Sequence, residues 1–324
     1  MRPGVPSNPR ILTRAGVYGR QNLLNHLRPA IILVHMAWKR HKLHAIRESD
    51  ADEATRAIYF EIKEALGIPY VSTMFQVFAS FPDFLRLFWD RARPVVETSE
   101  FFAIAERLGA EAYTRMHNYF SIPDLAWKIE NMQFSAGAQG ELKRAVELYH
   151  YSHPLLLELC AALVQAFENP EAAVREGTPT QLPAHREKPI LVEEENAPPE
   201  TRRIYEEIKR TLGTPFLNTC YIHLGRWPEF LGEYWESLKP VIASLPFEHH
   251  CRALRESALA LAAELPQPIQ LSTSELEEAG LPRDDMSGIV QVAGWFLDVL
   301  SKQTLTLEFA KIGLEGGVRS TVAA

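Results

Sequence analysis

Three cysteines in 324 residues, Cys160, Cys220 and Cys251, are too few, too widely spaced and odd in number for a disulfide framework. None of the spacings suits a zinc knuckle, and a reducing, cytoplasmic compartment is the expectation that follows. Long apolar runs are also lacking. The longest candidate, Ala30–Trp38, falls short of the roughly 18–20 residues that span a bilayer and is broken by His35, so no stable membrane insertion is expected. Acidic residues are missing from the first 47 positions, which hold nine Arg and Lys. The whole chain carries −7, leaving −16 on the remainder, and so acidic a body argues against nucleic acid as a partner. The basic arm, about residues 1–45, shows no signal-peptide core or cleavage site and reads as a solvated extension. Dinucleotide fingerprints, P-loops, nucleophile elbows and H-E-x-x-H motifs are all absent.

What is present is one stretch written twice. Ala51–Val95 superposes on Ala197–Val241 without a gap at an offset of 146, with 18 of 45 residues identical. Thr55 meets Thr201, Tyr59 meets Tyr205, and Glu61 and Lys63 meet Glu207 and Lys209. Gly67-x-Pro69 meets Gly213-x-Pro215, Pro82 meets Pro228, Trp89 meets Trp235, and Pro94 meets Pro240. A site in such a chain is expected where the copies meet or differ, and the repeated tryptophans read as core.

The periodicity is helical throughout. Apolar residues at Ala57, Ile58, Ile62, Ala65 and Leu66 give a helix over Asp52–Leu66, capped by Asp50 or Asp52 and stopped by Gly67 and Pro69. Tyr70–Ala79 suits a buried helix, Asp83–Ala92 another that starts at Pro82 and that Pro94 ends or kinks. Ser99–Gln133 continues as helix from a cap at Ser99, with a break near Ile122–Asp124. After a turn over Ser135–Gly140, Glu141–Phe167 is a long apolar helix interrupted at Ser152-His153-Pro154. Ser287–Leu314 closes the second copy before Gly316-Gly317. Period-two alternation is absent, so the expected class is all-α, an internal duplication forming a helical pseudo-dimer. The expected division is repeat 1 over 46–168, a Pro-rich linker over 169–189, repeat 2 over 190–317 and a tail over 318–324.

The doubled order of Tyr-rich helix, Gly-x-Pro and aromatic-Pro resembles the group I, non-stereospecific 2-haloacid dehalogenases, the DehI family, over about residues 45–317. Tyr149-x-Tyr151-Ser152-His153-Pro154 resembles that family's first-copy motif, and Leu314-Glu315-Gly316 its closing Leu-Asp-Gly. The resemblance implies a pocket between the repeats and hydrolysis of 2-halocarboxylic acids of both hands. Activated water attacks C2 directly and inverts it, with no covalent ester, metal or organic cofactor. A small carboxylic acid is the implied partner, and a homodimer is allowed. The family activates its water with an Asp in the second copy and an Asn before the first-copy Pro.

Both positions differ here. Counting back from Trp227 places Cys220 at the Asp, a shifted loop gap places Asn218 there, and Gly213–Trp227 holds no acid at all. His153 stands at the Asn. Histidine suits a base near neutral pH. Cys220 reads as a base or wall residue rather than a nucleophile, because a thioether formed on it would not hydrolyse. Three residues on, His223 shares its helical face. Asn218 can orient a water but not take its proton. Thr73 and Thr219 occupy matching places, as carboxylate contacts or as hydroxyls bonded to their own helices. Tyr70, Ser72, Thr73 and Phe296 fall by register on pocket-lining positions of the family. A distant acid such as Asp298 would restore a carboxylate base. His249-His250 and the Glu147, His150, His153 series are poor metal candidates, and none is expected. The alternative to the enzyme is a family member that binds a small acid or other ligand without turnover.

Overall fold

Asp52 lies in extended backbone and its carboxylate accepts from the Thr55 N–H at 2.8 Å, starting α1 (Glu53–Leu66) of the computed structural model. A cap of this kind is worth about 1 kcal/mol. At the far end Gly67 takes a φ of 61°, in the left-handed region that a Cβ disfavours. Tyr59, Ile62 and Leu66 form the buried face between. The structure describes residues 44–132, 134–170, 173–180 and 187–319, so nearly all of the basic arm lies outside the described residues, as do parts of the expected linker and tail.

Helices α2 (Thr73–Phe78), α3 (Pro82–Val96), α4 (Ser99–Tyr119), α5 (Leu125–Asn131) and α6 (Ala136–Glu168) follow in the first copy. The second copy answers α1–α6 with α7 (Pro199–Leu212), α8 (Thr219–Leu224), α9 (Pro228–Ile242), α10 (Leu245–Ala262), α11 (Thr273–Glu278) and α12 (Arg283–Leu314). Among the described residues β structure is limited to two isolated bridges, Thr98 with Pro179 and Ile122 with Val318. The class is all-α.

Local contacts recur at the sequence offset. Tyr59 donates its hydroxyl to the Ile46 carbonyl at 2.8 Å, and Tyr205 to the Val192 carbonyl at 3.0 Å. Lys63 pairs with Glu48 as Lys209 pairs with Glu194. Gly213 repeats the left-handed cap with a φ of 67°, and Pro228 repeats Pro82 at a helix start, where a missing N–H costs nothing. The two long helices, α6 and α12, pack on one another and on α4 and α10, forming the spine of the core. Trp89 and Trp235 are both buried, as the sequence leads one to expect.

Several local expectations are corrected. The cap of α4 is Thr98, whose Oγ1 accepts from the Phe101 N–H, not Ser99. Pro94 does not end α3, which runs to Val96; a proline in the last turn forfeits one backbone bond without breaking the helix. Ser135–Gly140 is not a turn: Ser135 caps α6, which starts at Ala136. Nor is α6 interrupted at Pro154. It continues to Glu168, and the proline packs against α4 at Gly109, where an added Cβ would lie 3.2 Å from Pro154 Cγ. Close helix packing holds the chain helical where the isolated sequence suggests a break.

Candidate active site

The left-handed caps at Gly67 and Gly213 each turn the chain into a short extended link carrying Pro69 or Pro215. Each link ends at the N-cap of a six-residue helix, Ser72 before α2 and Asn218 before α8. The two helices start face to face. Thr73 Oγ1 and Thr219 Oγ1, 146 positions apart, lie 3.3 Å from one another. The threonine hydroxyls therefore bond across the copies. The caps themselves are unusual: neither Ser72 nor Asn218 makes the customary side-chain bond to its helix. Ser72 Oγ is buried without any partner.

A cavity of about 20 Å³ opens at this meeting point, room for about one water molecule and far below the roughly 300–1,000 Å³ usual for ligand pockets. Tyr70, Ser72, Thr73 and Met74 line it from the first copy, Asn218 and Thr219 from the second. Leu156 of α6 and Phe296, Leu300 and Gln303 of α12 complete the wall. Tyr70, Thr73 and Thr219 also border an outer pocket whose lining includes Arg47, Glu48, Lys188, Glu193 and Glu194. The structure thus brings together Tyr70, Ser72, Thr73, Asn218, Thr219 and Phe296 of the residues singled out from sequence.

No Asp, Glu, Lys or Arg lines the cavity among the described residues. Its polar groups are neutral hydroxyls and amides, able to donate to an anion without a counter-charge. Asp298 does not supply the missing carboxylate, because it pairs with Arg255 at 2.8 Å and its side chain is half exposed. Glu308 on α12 is buried but bonds His150 at 2.6 Å.

His153 lies just behind the lining. Its ring sits 5.6 Å from that of Tyr149, and it bonds the backbone carbonyl of Gln303. Nδ1 has no partner. With one ring nitrogen donating to a carbonyl, the neutral tautomer leaves Nδ1 as the acceptor. Burial lowers the imidazole to about 4, with the Gln303 carbonyl opposing that shift, so the ring is neutral near pH 7.

Cys220 is placed less favourably for chemistry. It is fully buried in α8, absent from the lining, and burial raises its thiol well above the usual range. A base needs the opposite. Cys220 and His223 make no hydrogen bond with one another among the described residues. His223 faces Tyr149 at 5.7 Å and Trp227 at 5.6 Å instead, and borders a separate surface pocket. No cluster of metal-ligating side chains occurs among the described residues: Glu147 pairs with Lys311, while His150 takes Glu308.

Sequence reasoning missed Met74, Leu156, Leu300, Gln303 and the hydrogen bond between the Tyr70 hydroxyl and Ser152 Oγ at 2.7 Å. Gln303 carried one available signal, a polar side chain at i+3 from Leu300 and i+7 from Phe296 on an otherwise apolar face.

The family model described as halocarboxylic acid dehydrogenase DehI matches residues 69–221. An (R)-2-haloacid dehalogenase from Pseudomonas putida is 25% identical over 276 residues, which cover 83% of this chain and 92% of that protein. Another (R)-2-haloacid dehalogenase, from Rhizobium sp. (strain NHG3), is 26% identical over 233 residues, covering 71% and 90%. The solved structure of a D-2-haloacid dehalogenase in complex with L-LA superposes with a TM-score of 0.79 at 25% identity, covering 84% of this chain and 96% of that one. These relatives act on one hand of the substrate. The non-stereospecific assignment is therefore replaced by similarity to the (R)-specific, D-2-haloacid dehalogenases of the DehI family.

Proposed function

We propose that this DehI-type chain of the 2-haloacid dehalogenase family hydrolyses the C2–halogen bond of small D-2-haloacids by direct attack of water. The observation that carries the reading is the small cavity between the copies, lined by neutral donors of which Ser72 is buried and unpartnered. Ser72, Thr73, Asn218 and Thr219 offer hydroxyl and amide hydrogens to the substrate carboxylate. Met74, Leu156, Phe296 and Leu300 form the apolar wall that would face C2 and C3, and the cavity has to widen to take even a short chain.

In this mechanism His153 Nδ1 takes a proton from water, the water oxygen bonds C2 from the side opposite the halogen, and halide leaves with the C–X electron pair. The product is the 2-hydroxyacid of inverted hand, so D-2-chloropropionate gives L-lactate. The substrate carboxylate also favours protonation of the ring, because an opposite charge nearby raises the pKa of a histidine. Cys220, Asn218 and the threonines are assigned no proton transfer. The recurrence of contacts at the 146-residue offset supports the helical pseudo-dimer as the frame of this site. The absence of disulfides among three buried cysteines agrees with a cytoplasmic location, and a homodimer is the assembly the resemblance suggests.

One observation favours a second reading. With no carboxylate in its lining, the cavity suits binding of a small 2-substituted acid without turnover. Chloride release from D- and L-2-chloropropionate by the purified protein separates the two. Release from the D enantiomer alone, lost in His153→Ala, supports hydrolysis. Saturable binding of D-2-chloropropionate with no chloride released supports the binding protein.

A further inference from the structure

Gln303 is out of keeping with its surroundings. It stands on the α12 wall of the cavity with Phe296 and Leu300, faces Leu156 of α6, and is 3% exposed. Its Nε2 is buried with no acceptor. Leucine at this position would extend the apolar wall without leaving a donor unsatisfied, so the amide is a cost to the empty fold. A ligand or solvent molecule that accepts from it offsets that cost.

Besides Ser72 Oγ, which lines the cavity, a further buried atom without a partner is His153 Nδ1, on a ring that lies behind the lining against the backbone of Gln303. Gln303 Nε2 lacks an acceptor and His153 Nδ1 lacks a donor. Water alone among the reactants meets both needs, accepting through its oxygen and donating through a proton. We propose that Gln303 holds the attacking water, its Nε2 donating to the water oxygen while the water's proton points at His153 Nδ1. This rests on the hydrolytic reading of the cavity and assigns the orienting role within it to a residue of the second copy. The carboxylate of the substrate is left to Ser72, Thr73, Asn218 and Thr219, on the wall formed by the two helix starts. As the oxygen bonds C2, the C–X pair departs with halide and the water proton passes to His153, which later releases it to solvent.

The test compares chloride release from D-2-chloropropionate by wild type, Gln303→Leu, His153→Ala and the double variant His153→Ala/Gln303→Glu. Loss of the water's orientation lowers kcat in Gln303→Leu by about 10²-fold with KM within about twofold. The melting temperature of that variant stays level or rises, since an unsatisfied donor has been removed from an apolar wall. In the double variant the new carboxylate takes the water's proton and restores at least tenfold over His153→Ala alone. Gln303→Leu within threefold of wild type in kcat overturns the proposal while leaving the hydrolytic reading intact. So does a loss confined to KM, which would place the amide on the substrate. Wild type that releases no chloride overturns both.

Discussion

The two copies are most alike where they hold themselves together and least alike where they face the cavity. Tyr59 and Tyr205 tie down equivalent carbonyls, Lys63 and Lys209 reach equivalent glutamates, and Gly67 and Gly213 end equivalent helices. Five positions later the likeness fails. Ser72 is answered by Asn218, and Met74, which lines the cavity, by Cys220, which does not. The scaffold needs the same backbone path twice, whereas a ligand without twofold symmetry needs two different walls. Only Thr73 and Thr219 keep the symmetry, where their hydroxyls meet.

The comparison is broken most severely at His153, to which the proposed mechanism gives the proton transfer. His153→Ala is expected to lower chloride release from D-2-chloropropionate by about 10²–10⁴-fold, the usual range for loss of a general base, with the helical circular dichroism unchanged. The matched position in the second copy, 146 residues on, is Val299, which has no titratable group, so Val299→Ala leaves the pH dependence of turnover as it is in wild type.

A second asymmetry lies deeper in the long helices. Thr304 bonds the Leu300 carbonyl at 2.8 Å, whereas Glu158, its counterpart 146 residues earlier, is fully buried with both oxygens unpartnered. Burial pushes the Glu158 carboxyl up from 4.5 to about 8. Between those values the unfolded chain gives up a proton that the folded chain keeps, so stability falls as pH rises from 4.5 to about 8 and then levels. Glu158→Gln abolishes this slope, on the order of 3–5 kcal/mol across the window, in urea unfolding followed at several pH values. An unchanged slope would mean that the carboxyl is solvated or paired.

A smaller effect is expected where the copies share a contact but not a residue. Gly225 matches Ala79, yet a Cβ at Gly225 would lie 1.7 Å from the Tyr205 hydroxyl. Gly225→Ala should therefore destabilise by about 1–3 kcal/mol, the usual range for overpacking, seen as a lowered melting temperature. Coupling between Thr73 and Thr219 is smaller still. A double-mutant cycle with valine at both is expected to give about 0.5–1 kcal/mol, and additivity of the two single changes would remove the cross-copy hydrogen bond from the account.

Much of this was readable in the sequence because a repeat states its own register. The offset of 146 puts Thr73 and Thr219 at matching places, though not in contact, and glycine and proline punctuation ends the first helix at Gly67, while the helix read over Tyr70–Ala79 starts only at Thr73. What stayed illegible depends on packing between distant segments. Pro154 reads as a break, but Gly109 on another helix lets it seat within α6. Cys220 and Asn218 compete for one place in a linear count, and only the fold shows the amide in the cavity and the thiol in the core. Gln303 belongs to the site because α12 crosses α6 there. The group I resemblance is corrected by the relatives, which are (R)- and D-2-haloacid dehalogenases, because the residues that carry it give which positions face a ligand, not which enantiomer they admit.

The most direct test is a single turnover of D-2-chloropropionate in H₂¹⁸O with excess enzyme, followed by chiral and mass analysis of the product. Direct attack by a histidine-activated water predicts L-lactate, one chloride for each lactate, and ¹⁸O in the C2 hydroxyl from the first turnover. D-lactate, or a first-turnover hydroxyl without the label, would contradict it.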